Sequence, residues 1–508
     1  MRKRYVAWAL GTALAATALP ASAMADDVEG EVPWAQSIHA SMKRASFGVK
    51  ARAAQAGPGI SGLRAVGNSD KDGVTNSDLA FWGNLAYAGN YGGFRILDIT
   101  RDQPMVLSDF ACNGAQSDPT VYDNGRRRLL FQSVDSRQTR EDCASTSQPV
   151  VGGQQLAGFE GIRIFDVTNP QAPRWIDSVE TDCGSHTNTL IPDLANNRVF
   201  IYVSSYPLGS GQTPPATRPG QTECIKPHKK ISILTVPFDV DEKSDVTVKE
   251  QPLSSDTAMP PGVGREFQGC HDITAVLPAD LAVASCAGDG QIWDISDPAD
   301  PTTTDADEGE HTHIYSPGGG DNFEFVHTSM ITPDLKRFVL TDETGGGGTA
   351  ECDGPATDDG FYYFYELVEP GAAEPGLISR FTIPRAQTPE ICVSHNGNFI
   401  PVKNRYIMPS ANYMGGTSVV DWTNERKPRE VAFADQVDAV GAEDAWSSYW
   451  YNGRIYTNGG LIRGATNPRG FDNPRGLDVF EFTNNRYNRN RAGQLPHLNP
   501  QTVETSVR

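Results

Sequence analysis

One pattern constrains this chain more than any other: a short extended run that ends in an acid and breaks into turn residues, repeated along its length. It reads Phe94-Arg-Ile-Leu-Asp98, Ile162-Arg-Ile-Phe-Asp166, Gln291-Ile-Trp-Asp294 and Ser418-Val-Val-Asp421. Weaker copies are Ile231-Ser-Ile-Leu-Thr235, Tyr362-Tyr-Phe-Tyr-Glu366 and Asp478-Val-Phe-Glu481. Successive copies fall 68, 69, 59, 72, 55 and 60 residues apart. Those intervals exceed the ~40–50 residues of common propeller blades, and loop insertions supply the excess. The terminal acids read as turn and blade-stabilising groups.

Between these anchors lie seven strand–turn–strand copies, with turns such as Pro192-Asp-Leu-Ala-Asn-Asn, Pro333-Asp-Leu-Lys and Asn452-Gly453. They begin near Ser77-Asp78, Ser117-Asp118, Ser185-His186, Cys270-His271, Val326-His327, Ser394-His395 and Ala445-Trp446. Four antiparallel strands repeated seven times make a seven-bladed β-propeller with first strands lining a central channel. An open sheet of such length would leave long unpaired edges, so ring closure is favoured. The last unit runs out of chain at Thr483, and Ser61 to Val66 supplies the missing fourth strand. Composition agrees with an all-β, loop-rich fold: 50 Gly, 35 Pro and 38% hydrophobic residues. The propeller then spans 59–483, preceded by an arm or short helix over 26–58 and followed by an irregular tail over 484–508.

Residues 1–25 read as a cleavable signal peptide: Arg2-Lys3-Arg4, an apolar core from Tyr5 to Leu19, and small residues around Ala23. No later stretch is apolar enough for a membrane span. The expected product is secreted or periplasmic, soluble and monomeric. Net charge is −20, which disfavours nucleic acid and anionic membranes as partners. The partner class left is an extracellular ligand or protein.

The strand signature, with Asp78-Leu-Ala-Phe-Trp-Gly-Asn-Leu-Ala-Tyr-Ala-Gly-Asn-Tyr-Gly-Gly and Trp446-Ser-Ser-Tyr-Trp-Tyr-Asn-Gly-Arg, resembles the LVIVD-repeat proteins over roughly residues 60–500. That resemblance implies an exported propeller and is nearly silent about activity. The third, fifth and seventh units depart from the signature.

Four of nine histidines, His186, His271, His327 and His395, share one register at the start of a first strand. In a closed ring they meet at the channel mouth, and four neutral imidazoles suit Fe, Cu or Zn. Asp272, Asp342 and Glu343 are candidate outer partners, while Asp78, Asp118 and Trp446 occupy the register in units without histidine. That side is left open, as a catalytic metal requires. The arrangement resembles that of carotenoid oxygenases, which hold iron with four histidines on a propeller axis, although none of that family's sequence occurs elsewhere here. Glu310-His311-Thr-His313 reads as a separate exposed loop pair. Gly345 to Gly348 lacks the helix and lysine of a phosphate loop, so no nucleotide cofactor is expected.

Long loops, Asp135–Phe159, Tyr206–Lys229, Glu343–Gly360 and Gly460–Arg475, rise from the same face. The eight cysteines flank these loops, which predicts pairs Cys112–Cys143, Cys183–Cys224, Cys270–Cys286 and Cys352–Cys392. Three functional classes fit: a metal-holding binding protein that takes its ligand through the stapled loops, a metal-dependent oxidase, oxygenase or hydrolase, and a metal-free adhesive module.

Overall fold

In the second strand of the third repeat, Val199-Phe-Ile-Tyr-Val203, every residue is buried, because both faces of the sheet are covered. Val199, Ile201 and Val203 pack into a cluster with Leu129, Phe131 and Ile164 of the repeat before. Phe200 and Tyr202 pack the other way, against Ile273, Ala275 and Trp293 of the repeat after. A continuous apolar run is what a doubly covered strand demands. Burying each such side chain contributes ~1.5–3 kcal/mol.

The structure is a computed structural model. It describes residues 58–506, apart from 152–153, 208–223, 225–227, 255–268, 305–310, 315–324, 344–346, 348–359, 386–389, 439, 462–473 and 485–492. The segment expected as a signal peptide, nearly all of the expected N-terminal arm, Cys352 and most of three long loops therefore lie outside the described residues. Among the described residues no helix is long and apolar enough to cross a membrane.

Among the described residues the strands build seven four-stranded antiparallel units, the arrangement of a β-propeller. Blades 1 to 7 open on inner strands Asn76–Trp82, Gln116–Asp123, Thr187–Asp193, Ile273–Val276, Val326–Ile331, Asn396–Gly397 and Ala445–Tyr451. The fourth strand of blade 7 comes from the N-terminal side: Leu63–Ser69 pairs with Gly476–Phe482, Leu63 opposite Phe482. Just before it, Gly59–Ser61 adds to the outer strand Arg429–Asp435 of blade 6.

Polar contacts join each blade to the next around the axis. Asp78 N–H donates to Asp118, Thr120 to Asn188, Thr187 to the His271 carbonyl and Thr274 to the Ser329 carbonyl. Tyr362 meets Ser410, Asn396 and Asn458 complete the circuit through Ser447 and the Ser77 carbonyl. The acids ending the third strands hold the following turn. Asp98, Asp166, Asp294 and Asp421 each accept from the backbone N–H two residues on, at 2.8, 3.0, 2.7 and 3.0 Å. This local bond stops the strand at that point.

The segment expected as an irregular tail includes an ordered strap across the face opposite the histidines. His497–Leu498 pairs with the inner strand of blade 1, and Thr502–Val503 pairs in parallel with that of blade 4. Between them Asn499 bonds to both backbone groups of Val121 in blade 2, and Thr502 donates to the Leu190 carbonyl in blade 3.

Candidate metal centre

Each of His186, His271 and His395 sits just ahead of its inner strand, where its backbone N–H bonds across to the second strand at Ser204, Ser285 or Ala411. His327 lies inside its strand, at the register shift between Val326 and Ser329. All four therefore occupy the same end of the channel. Their rings form a continuous arc across blades 3 to 6, with centroid separations of 4.4 Å (186–271), 3.7 Å (271–327) and 4.0 Å (327–395). None is more than 3% exposed.

Outer partners orient these rings. His186 Nδ1 lies 2.8 Å from Asp135 Oδ2, and His271 Nδ1 lies 3.3 Å from Asp272 Oδ1. His395 Nδ1 donates to the Trp446 carbonyl. For His186 and His395, an Nδ1 proton given to that acceptor leaves the Nε2 lone pair turned inward. Nε2 of His186 and Nε2 of His271 face each other at 2.8 Å. Either one Nε2 carries a proton that it donates to the other, or both lone pairs turn to a cation set to one side of the line between them. Glu343 spans the other end, 3.7 Å from His327 Nε2 and 3.5 Å from His395 Nε2, and accepts a hydrogen bond from the Tyr413 hydroxyl.

His327 is the anomaly at the centre. It is completely buried, and neither ring nitrogen has a hydrogen-bond partner. Burial, together with the neighbouring His271, His395 and His186, pushes its pKa well below the ordinary imidazole value. It is a neutral ring with unused lone-pair capacity. Leaving such a group unsatisfied costs ~1–3 kcal/mol, and a metal ion would relieve that cost. Among the described residues two three-residue sets have ligand atoms within 4.8 Å of one another, His271–Asp272–His327 and His327–Glu343–His395; both include His327, and His186 joins the group only through His271.

The other predicted acids divide by position. Burial works to raise the Asp272 carboxyl, but the adjoining His271 ring and two threonine hydroxyls hold it below the usual range. Asp342 accepts from the Phe325 N–H, fixing the start of the blade 5 inner strand. Asp78 and Asp118 lie on the blade 1 and 2 side, outside both ligand sets. Burial, reinforced by the Asp272 charge, pushes the Asp78 carboxyl up to about 7. Gln501 of the strap reaches both Asp78 and Asp272, at 3.4 and 3.5 Å.

Sequence reasoning missed Asp135, Tyr206, Tyr413 and Gln501 as neighbours of the site. A signal for the first was present. Val134 pairs with Gln116 in blade 2 as Asp342 pairs with Val326 in blade 5, so Asp135 and Glu343 occupy one repeat position. Each faces the histidine of the following blade. The aromatic rings have no such regularity; Tyr206 lies 4.8 Å from His186 and Tyr413 4.6 Å from His395, centroid to centroid.

Both partners are described for three disulfides, Cys112–Cys143, Cys183–Cys224 and Cys270–Cys286. Cys392 is also disulfide-bonded; its expected mate, Cys352, lies outside the described residues. All three described bridges tie the starts of inner strands to second strands or the loops beyond them, on the histidine side.

No family model and no curated protein sequence matches this chain. Among solved structures it is similar to U3-55K at 8% identity and a TM-score of 0.45, over 82% of this chain and 98% of that one. It is also similar to the computationally designed Ika8 protein at 12% identity and a TM-score of 0.39, over 82% of this chain and 99% of that one. The propeller assignment above rests on the strand pairings of this chain.

Proposed function

We propose that this chain is an exported, closed seven-bladed propeller of the LVIVD-repeat kind, built around one divalent transition metal. His186, His271, His327 and His395 are its ligands, with Asp135, Asp272 and Glu343 as charge-balancing outer partners. The observation that carries this reading is His327, fully buried among three other imidazoles with no hydrogen-bond partner for either nitrogen. The paired Nε2 atoms of His186 and His271, 2.8 Å apart, support it. Two neutral nitrogens converging on one point suit Fe, Cu or Zn rather than Ca or Mg. The protein then binds an extracellular ligand through the loops stapled around that face.

A specific asymmetry favours a second reading. The imidazoles come from blades 3 to 6 alone, and the blade 1 and 2 side carries Asp78 and Asp118, which join neither ligand set. A metal held from one side keeps a position for substrate or water, the condition for an oxidase, oxygenase or hydrolase.

Elemental mass spectrometry on the full chain, purified from its exported fraction, tests the centre. One equivalent of Fe, Cu or Zn that is lost when the four histidines become alanine is the expected result. A metal content, after reconstitution with each ion, that the four-histidine variant leaves unchanged would overturn it. Azide added to the Cu(II)-loaded protein then separates the readings: a new charge-transfer band marks an open position, and an unchanged spectrum removes the enzyme.

A further inference from the structure

The His311-Thr-His313 pair is not the exposed loop expected from sequence. It lies in the outer strand of blade 4, His311–Ile314, where His311 pairs with Trp293 and His313 with Gln291. Residues two apart on a strand point to the same face, and the two Nε2 atoms stand 3.0 Å apart. One ring is held from behind. His313 Nδ1 is 2.6 Å from Asp289 Oδ2, and Asp289 is only 2% exposed. Gln291 Nε2 donates to the same carboxylate at 3.3 Å, and Gln291 Oε1 accepts from Trp293 Nε1 at 2.8 Å. An ionised Asp289 can only accept, so His313 carries its proton on Nδ1 and its Nε2 lone pair faces His311. This carboxylate–imidazole order is the outer arrangement of metal-ligating histidines.

We propose that His311 and His313 form a second metal site, independent of the axial centre, that takes a borderline divalent transition metal, Zn(II) or Cu(II). The pair is accessible where the axial rings are not: the His313 side chain keeps 13% exposure, against 0% for His327. Metal here exchanges with solvent, and binding at this site needs no opening of the channel. The alternative occupant of the 3.0 Å gap is a proton, with His311 Nε2–H donating to His313.

The test is a Zn(II) competition titration against a fluorescent chelator on the full chain stripped of metal. Wild type is compared with His311→Ala, with His311→Gln, which keeps the strand's side-chain volume, and with Asp289→Asn. Two equivalents in wild type falling to one in both His311 variants, with at least tenfold weaker binding of that equivalent in Asp289→Asn, is the expected result. A single equivalent lost in the His311 variants also supports this site and counts against the axial centre alone. A wild-type stoichiometry that both His311 variants leave unchanged overturns it, whatever the axial centre binds. Cu(II) electron paramagnetic resonance on the four-axial-histidine alanine variant gives a second readout, expected to show two equatorial nitrogens; none would overturn the assignment.

Discussion

Replacing Asp135 by Asn isolates the orienting role of one carboxylate. The change keeps the side-chain shape and removes the charge behind His186, whose Nδ1 sits 2.8 Å from Asp135 Oδ2 with both side chains at most 4% exposed. Two outcomes are open to the amide, and both disfavour metal. If its oxygen faces Nδ1, the hydrogen bond survives but loses the charge that roughly doubles its strength. If its NH2 turns inward, the proton moves to Nε2 and points at His271 Nε2, now 2.8 Å away. Loss of such an outer partner weakens metal binding by ~10–100-fold, or about 1.4–2.7 kcal/mol. The assay is a melting curve with metal at about one hundred times the wild-type Kd. Wild type gains about 2.7 kcal/mol of stability from the ion under those conditions. The variant, with ion at about one to ten times its own Kd, gains only about 0.4–1.4 kcal/mol. A variant that keeps its affinity within twofold, with the metal-linked gain intact, would refute the assignment of Asp135 as an orienting partner. A fall confined to the metal-free protein would make it a packing residue only.

Two further predictions concern stability. Burial, with Asp135 and Glu180 nearby and only partly offset by Arg137, pushes the Glu160 carboxyl up to about 7. The folded state then holds a proton the unfolded chain releases, so stability falls as pH rises from about 4.5 to about 7, by roughly 3 kcal/mol. Denaturation of Glu160→Gln across that window shows a flatter profile; a slope equal to wild type counts against the shift. Serine pairs replacing the disulfides are expected to lower stability in the order of the loops they close. Loss of Cys183–Cys224, separated by 41 residues, costs ~4 kcal/mol, and loss of Cys270–Cys286, separated by 16, costs ~3 kcal/mol. Urea midpoints in the reverse order would contradict loop closure as the source.

Much of the architecture is written locally. An Asp that ends a strand by binding the N–H two residues on is a short-range device, so Asp98, Asp166, Asp294 and Asp421 mark blade after blade in the sequence itself. The Asn452-Gly453 turn, both residues at positive φ, is equally local. The register of His186, His271, His327 and His395 follows from the same repeat. The three described disulfides join cysteines that the sequence places on either side of a single strand pair or loop.

Much of what the sequence left open depends on contacts between strands or blades that share no repeat relation. Asp135 serves a histidine 51 residues later, and Gln501 reaches an aspartate 423 residues earlier. Neither spacing belongs to any helical or strand period. His311 and His313 looked like loop residues because the Asp289–Gln291–Trp293 row that holds them comes from the neighbouring strand. The strap, with its two short pairings and side-chain anchors, has no periodic signature. A repeat fixes where each strand starts and which side chains share a level. Closure of the ring brings those levels together and decides which carboxylate meets which imidazole, because those contacts are set by the packing of one blade on the next.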